Sequence, residues 1–229
     1  MKSQHWMRQL GGRFLVFDGP DGSGKSTQFS RFADYCRSGG LTVCEVREPG
    51  GTDIGEQIRT ILLKPANHDM ALRCEMMLYM ASRAQLVEQI VRPALESGQL
   101  VLADRFISST LAYQGAAGGM SEEEILAVGR VAIGSIWPDL TVIFDVDEKV
   151  AAKRLGGSGR YHRRTTVVEP TLFSDRMEQK GDAYWRRVRE GFLAQAGAAP
   201  DKHLVLDASV DADEVFDNLI QRLADHFSK

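Results

Sequence analysis

The chain has 229 residues, of which 43% are hydrophobic, and this is enough apolar material for the core of one large domain. Its formal net charge of −3 argues against a nucleic-acid groove, although a local basic patch could still bind a small anion. The three cysteines lack C-x-x-C spacing and no apolar run is long enough to span a bilayer, so we expect a cytoplasmic protein without a disulfide framework or zinc site.

We expect one domain over residues 1–229. The first twelve residues, MKSQHWMRQLGG, lack the continuous apolar segment of a secretory signal. They are interpreted as an extension that precedes the first strand.

A glycine-rich loop follows the first predicted strand. Residues 14–17 are apolar β-formers, and residues 19–26 match the phosphate-binding pattern G-x-x-x-x-G-K-[ST]. The glycines let backbone N–H groups point inward, and a helix predicted over residues 26–37 adds the positive end of its dipole. Lys25 supplies a charge for the β- and γ-phosphates, and the Ser26 hydroxyl is placed for Mg²⁺. The sequence therefore predicts binding of a nucleoside triphosphate with magnesium.

The second predicted strand, residues 41–46, runs into the sequence REPGGT. In open α/β sheets, ligands bind at the carboxyl ends of strands, and arginine is suited to bidentate contact with phosphate. Arg47 is therefore a candidate phosphate ligand. A salt bridge in solvent is the alternative interpretation of Arg47, and the pattern leaves both open.

Two helices are predicted next, over residues 53–63 and 69–95. On the longer one, Tyr79 and Arg83 are one turn apart and share a face. An aromatic ring and a cation in this arrangement could hold a flat polar ring. A core tyrosine beside a surface arginine is the alternative, and the spacing does not decide between them.

A third strand, residues 100–103, is followed at once by the charged pair Asp104-Arg105. Helices are predicted over residues 107–119 and from Ser121 to about residue 135, the second with a capping box between Ser121 and Glu124. A fourth strand at residues 140–144 precedes a helix at 148–155. A fifth strand at residues 203–207 lies between two further helices. This alternation predicts a parallel five-stranded sheet that is covered on both faces.

One segment differs in composition from the rest. Residues 156–166, GGSGRYHRRTT, are rich in glycine and carry Arg160, Arg163 and Arg164, with Arg154 just before them. A flexible basic loop beside a phosphate-binding loop predicts a lid that closes on phosphates. A solvated loop without that role is the alternative.

Together these motifs resemble bacterial thymidylate kinases. The resemblance rests on FDGPDGSGKSTQ, REPGGT, Tyr79-x-x-x-Arg83, DRF-x-x-S-x-x-AYQG, IFDVD and a late DRMEQ, in the family's order over most of the chain. It implies a three-layer P-loop kinase fold with a mobile lid at about residues 154–170. It also implies transfer of the γ-phosphoryl group of MgATP to dTMP, giving dTDP for dTTP synthesis, by a cytoplasmic homodimer.

The same resemblance implies roles for individual residues. The ATP-binding residues would be Gly19, Pro20, Asp21, Gly22, Ser23, Gly24, Lys25, Ser26 and Thr27, with Ser26 and Asp21 near Mg²⁺. The acceptor-binding residues would be Arg47, Tyr79, Arg83, Arg105, Ser109, Tyr113 and Gln114. Lys25, Asp21, Arg105 and Arg160 would act in catalysis.

The family places its catalytic arginine either in the P-loop or in the lid. Gly22 stands at the P-loop position here, so the lid must supply the arginine, and Arg160 is our choice among several. Asp18 and Phe106 stand where the family usually has Glu and Tyr. The alternatives are a P-loop kinase for another nucleoside monophosphate and a nucleotide-binding module without transfer activity.

Overall fold

The computed structural model describes residues 5–156 and 182–228. The strands are β1 (Phe14–Asp18), β2 (Val43–Arg47), β3 (Leu100–Asp104), β4 (Leu140–Asp145) and β5 (His203–Asp207). They form one parallel sheet in the order β2-β3-β1-β4-β5. The predicted α/β fold with five parallel strands is confirmed.

Helices connect the strands and cover both faces of the sheet. They are α1 (His5–Arg8), α2 (Lys25–Ser38), α3 (Asp53–Leu63), α4 (Leu72–Leu86), α5 (Arg92–Glu96), α6 (Ile107–Thr110), α7 (Glu122–Ile133), α8 (Glu148–Gly156), α9 (Asp182–Ala198) and α10 (Ala212–Phe227). A 3₁₀ turn lies at Pro65–Asn67, and π-helical segments lie at Val87–Val91 and Leu111–Ala117. In the part of the chain that the structure describes, no helix combines the length and apolarity needed to cross a membrane.

Two predicted helices are divided by these π segments. The helix predicted over residues 69–95 consists of α4, the segment Val87–Val91 and α5. Pro93 has no N–H to donate to the carbonyl four residues earlier, and the wider π turns ahead of it accommodate its ring. The helix predicted over residues 107–119 is α6 followed by the segment Leu111–Ala117. Such π turns occur frequently at functional sites.

The core has one apolar layer on each face of the sheet. Phe17 packs on one face with Phe32 of α2 and Leu219 of α10, and all three are fully buried. Val16 faces the opposite layer, where Met80 of α4 packs. Because β1 is central and buried on both faces, its carboxyl end and the loop that follows are held on a rigid base.

Part of the segment that we expected to be an extension packs against the core. Trp6, Met7 and Leu10 are buried in the same layer as α2 and α10, with at most 3% of each residue exposed. Burying side chains of this size favours a fixed position by about 1.5–3 kcal/mol each. Trp6, Met7 and Leu10 are therefore part of the core.

Candidate active site

Three strand ends meet at one edge of the sheet. β1 ends at Asp18, and its neighbours β3 and β4 end at Asp104 and Asp145. In the parallel register, Asp104 lies beside Phe17 of β1 and Arg47 of β2. The loop after β1 therefore emerges among charged side chains, at the edge where open α/β sheets bind ligands.

This loop presents the N-terminus of α2. Gly24 has φ 81° and ψ 8°, a left-handed conformation that costs glycine little, and α2 begins at Lys25. The first turn of α2 contains no acidic residue, so the positive end of the helix dipole can attract an anion. The buried Ser23 hydroxyl lacks a hydrogen-bond partner among the described residues, and a phosphate oxygen would supply one. The loop thus fits the phosphates of a nucleotide.

Lys25 and Asp104 connect the loop to β3. Lys25 Nζ forms an ion pair with Asp104 Oδ1, and the two side chains are 8% and 24% exposed. Ser26 Oγ lies 3.5 Å from Asp104 Oδ2. Burial alone would raise the pKa of Asp104, but the charges of Lys25 and Arg105 together lower it below its usual value. Asp104 is therefore a carboxylate beside the Ser26 hydroxyl.

These two oxygen groups are suited to Mg²⁺, which often binds through one or two carboxylates and the phosphates of a substrate. Within residues 5–156 and 182–228, no group of three or more His, Cys, Asp and Glu is arranged to hold a metal. The donor set thus fits a magnesium ion that arrives with a nucleotide.

Arg105 is the centre of a second, buried network. Its Nη1 donates to Asp18 Oδ1 at 3.1 Å, to the Gly19 carbonyl at 3.1 Å and to Ser109 Oγ at 2.9 Å. Its Nη2 donates to Asp21 Oδ1 at 2.6 Å. Arg105 also has φ 70°, an uncommon backbone conformation for a residue with a Cβ. Such conformations persist where the surroundings determine them, and they cluster at functional sites.

A cavity that is open to solvent lies beside Arg105. Its lining residues are Glu48, Pro49, Tyr79, Arg83, Arg105, Phe106, Ser109, Thr110, Tyr113 and Gln114. The Tyr113 ring lies 5.3 Å from the Arg105 guanidinium carbon, and its hydroxyl lies 3.4 Å from Asp21 Oδ2. The cavity therefore adjoins the phosphate-binding loop.

Arg83 is held in the wall of this cavity by Glu48. Arg83 Nε donates to Glu48 Oε2 at 2.8 Å and Nη2 donates to the same oxygen at 2.5 Å, while Nη2 also donates to Thr110 Oγ1 at 3.2 Å. The two charged side chains are 1% and 3% exposed. Burial raises the pKa of Glu48 to about 7, against the opposing charge of Arg83. Arg83 is thus not the surface residue that the spacing also allowed.

The structure does not bring Arg47 to the cavity. Its side chain is 44% exposed, and Nη2 donates to Glu56 Oε1 on α3 at 3.1 Å. The other six side chains expected at the acceptor site all line the cavity: Tyr79, Arg83, Arg105, Ser109, Tyr113 and Gln114. In this structure Arg47 has the surface salt bridge that the sequence left open.

The arginines expected in the lid are only partly described. Arg154 Nη1 donates to the Ala208 carbonyl at 2.8 Å and lies 3.4–3.5 Å from the carbonyls of Gly22 and Ser23. It therefore contacts the phosphate-binding loop. Arg160 and the rest of the predicted lid, residues 157–170, lie outside the described residues.

Sequence reasoning missed three acidic residues of the site: Asp18, Asp104 and Glu48. Asp18 is fully buried and accepts hydrogen bonds from Ser108 Oγ at 2.6 Å and Ser109 Oγ at 2.7 Å. Each of the three ends or follows a predicted strand, and that position was the available signal. The sequence patterns predicted roles for the neighbouring cations. They predicted no role for the carboxylates that pair with those cations.

Comparisons with known proteins point to one family. The family model described as thymidylate kinase matches residues 17–219. A thymidylate kinase of Pseudomonas fluorescens is 40% identical over 215 residues, covering 93% of this chain and 96% of the relative. One from Pelotomaculum thermopropionicum is 42% identical and covers 86% of each chain. The crystal structure of thymidylate kinase from Ehrlichia chaffeensis superposes with a TM-score of 0.71 at 30% identity, covering 92% of this chain and 97% of that one.

Proposed function

The chain belongs to the thymidylate kinase family, whose members phosphorylate dTMP to dTDP, and we propose that the site at the sheet's carboxyl edge carries out this reaction. The observation that carries the proposal is the cavity lined by Tyr79, Arg83 and Gln114, which opens beside the phosphate-binding loop and shares Arg105 with it. Transfer of a phosphoryl group between two nucleotides requires that the donor site and the acceptor site be in contact.

On the donor side, the loop from Gly19 to Thr27 would hold the phosphates of ATP. The Gly24–Lys25 turn supplies the helix N-terminus, and Lys25 supplies the charge. Magnesium bound with ATP would lie near Ser26, and Asp104 is the carboxylate beside that hydroxyl. The charge of the magnesium ion would neutralise phosphate oxygens of ATP. Asp21, the other expected metal neighbour, accepts a hydrogen bond from Arg105, which supports a position for it between donor and acceptor.

On the acceptor side, Arg105 is the cation best placed for the dTMP phosphate. It lines the cavity, and its guanidinium contacts the loop at the Gly19 carbonyl. Arg47, which we also expected there, would have to release Glu56 and turn inward. The base would lie deeper, where Tyr79 offers a ring and Arg83 offers N–H donors. Ser109, Tyr113 and Gln114 complete the lining.

Phosphoryl transfer asks little covalent chemistry of a protein. It requires the attacking oxygen and the γ-phosphorus in line and cations around the transferring group. We propose that Lys25 holds the phosphates of ATP and that Arg105 holds the phosphate of dTMP. Asp21 accepts a hydrogen bond from Arg105 and would lie near both groups. A lid arginine, Arg160 in our prediction, would add the remaining charge.

A panel of acceptors tests the proposal. Purified chain with MgATP is given dTMP, dUMP, dCMP, dGMP or dAMP, and ADP release is followed by a coupled assay. We expect dTMP to give the highest kcat/KM. If the chain phosphorylated dGMP but not dTMP, the acceptor assignment would be refuted. If the chain bound ATP but released no ADP in response to any acceptor, it would be a nucleotide-binding module.

For the assembly we infer a homodimer of single-domain chains. Large apolar side chains are exposed on three helices that pack side by side: Ile54 and Ile61 on α3, Met77 on α4 and Val131 on α7. A second copy of the same surface would cover them by a two-fold contact. The free cysteines Cys36, Cys44 and Cys74 support a reducing compartment such as the cytoplasm.

A further inference from the structure

We propose that Glu75 is a positioning residue that fixes the side-chain amide of Gln114 and thereby selects a base with an N3–H group. The inference rests on the proposed function, because it concerns which pyrimidine the acceptor cavity takes. Glu75 does not line the cavity, whereas Gln114 does. Neither the sequence motifs nor the expected site residues include Glu75.

The two side chains meet between two walls of the cavity. Glu75 is in the first turn of α4, and Gln114 is in the π-helical segment Leu111–Ala117. Gln114 Nε2 donates to Glu75 Oε1 at 2.8 Å, and the residues are 3% and 5% exposed, respectively. A hydrogen bond to a carboxylate at this depth is strong, because little water competes for either group.

This bond determines which end of the amide faces Glu75. A carboxylate oxygen accepts hydrogen bonds, and the amide nitrogen of Gln114 points to Glu75 Oε1. The Gln114 carbonyl oxygen is then the atom left to accept from a ligand in the cavity. With an uncharged partner in place of Glu75, the amide could turn over and present its NH₂ group.

Arg83 provides the complementary donor. Its Nε and Nη2 donate to Glu48 and Thr110, while Nη1 contacts the Met80 sulfur, a weak acceptor, at 3.1 Å. Nη1 can therefore donate to a carbonyl of the base. A donor and an acceptor that line the same cavity match thymine or uracil, which carry a C4 carbonyl next to N3–H. Cytosine has the reverse pattern, an amino group next to a bare N3, and would leave buried polar groups unpaired.

The test is the acceptor preference of Glu75→Gln. We expect kcat/KM for dTMP and for dUMP to fall together by about tenfold, the scale of one lost buried hydrogen bond. The value for dCMP should not fall, so the dTMP-to-dCMP ratio drops about tenfold while the KM for ATP and the dTMP-to-dUMP ratio stay unchanged. Glu88→Gln, which removes an exposed carboxylate paired with Arg92, is the control.

Equal losses for dTMP, dUMP and dCMP would show a purely structural role and overturn the proposal. If Glu75→Gln does not fold, the exchange variant Glu75→Gln/Gln114→Glu keeps one amide and one carboxylate in the same space. The carboxylate at position 114 of this variant still presents a hydrogen-bond acceptor to the cavity, so the preference for dTMP over dCMP should persist. Loss of that preference would contradict the proposed role of Glu75. Failure of the proposed function is distinguishable, because the unmodified chain would then fail to phosphorylate dTMP at all.

Discussion

At the scale of single residues, Lys25 pairs with Asp104 at the start of α2, and we propose that it supplies charge to the transferring phosphoryl group. We expect Lys25→Ala to lower kcat/KM for dTMP phosphorylation about 100- to 1,000-fold, because a preorganised charge at the transferring group contributes about 3–4 kcal/mol. Steady-state kinetics would measure the loss, and a thermal melt would show whether the variant stays folded with Asp104 unpaired.

Arg37→Ala is the matched control for that experiment. Arg37 is an exposed cation at the far end of the same helix, where it pairs with Asp34 and Glu45. The Arg37→Ala variant should retain the kinetic constants of the unmodified chain. Folded Lys25→Ala with undiminished turnover would contradict the donor-site assignment.

The cysteines should differ in reactivity. Burial raises the pKa of Cys36 to about 12, so its thiolate is scarce at pH 8, whereas Cys74 is exposed. With iodoacetamide at pH 8, mass spectrometry of Met77→Glu/Val131→Glu, in which no second copy should cover the surface around Cys74, should find Cys74 alkylated first and Cys36 only after unfolding. Cys74→Ser should abolish the fast reaction. Equal rates at Cys36 and Cys74 in the native protein would contradict the buried position of Cys36.

The partners of the site arginines could not be predicted from the sequence. Motif spacing indicated Arg83 and Arg105, but only the fold reveals that Glu48 and Asp18 hold them, because these pairs are 35 and 87 positions apart. For Arg47 the pattern left two alternatives, and the neighbour that decides, Glu56, lies on the next helix.

At the scale of elements, the loop from β1 to α2 has a tight neighbour in α8. Gly22 has φ 78°, and a Cβ there would lie 2.8 Å from the Ala151 carbonyl oxygen. We expect Gly22→Ala to lose more stability than the left-handed backbone alone explains, which is about 1–2 kcal/mol, and to weaken ATP binding. Chemical denaturation and titration calorimetry measure the two effects.

Gly40→Ala separates the two causes. Gly40 also has a left-handed φ of 88°, but nothing lies within 4 Å of its Cβ position. It should lose only the backbone term and bind ATP normally. Equal effects of the two substitutions would show that α8 does not constrain the loop. The same close approach to Ala151 would strain an arginine at position 22.

Element boundaries were predictable where the local signal is strong. The capping box of α7 is present, with Ser121 Oγ accepting from the Glu124 N–H at 3.2 Å, and every predicted strand exists. The π segments Val87–Val91 and Leu111–Ala117 were not predicted, because apolar spacing over so few residues does not separate a π turn from an α turn. One of these segments carries Tyr113 and Gln114.

At the scale of the whole molecule, the exposed apolar surface on α3, α4 and α7 predicts self-association. Sedimentation analysis should give twice the chain mass of 25.4 kDa. Met77→Glu and Val131→Glu replace the two most exposed of these side chains, at 60% and 86%, and should yield a monomer. Gln221→Glu on α10, on the opposite face of the sheet, should leave the dimer intact. A monomeric unmodified chain would refute this surface as the interface.

We propose that one molecule joins a donor loop to a dTMP cavity, so that the phosphoryl group passes directly from ATP to dTMP. Phosphorus NMR of purified chain with MgATP and dTMP tests it, because ATP, ADP, dTDP and free phosphate give separate signals. We predict that dTDP and ADP appear in equal amounts, with no free phosphate, and that Lys25→Ala slows both alike. Conversion of ATP to ADP and free phosphate without dTDP would contradict the account.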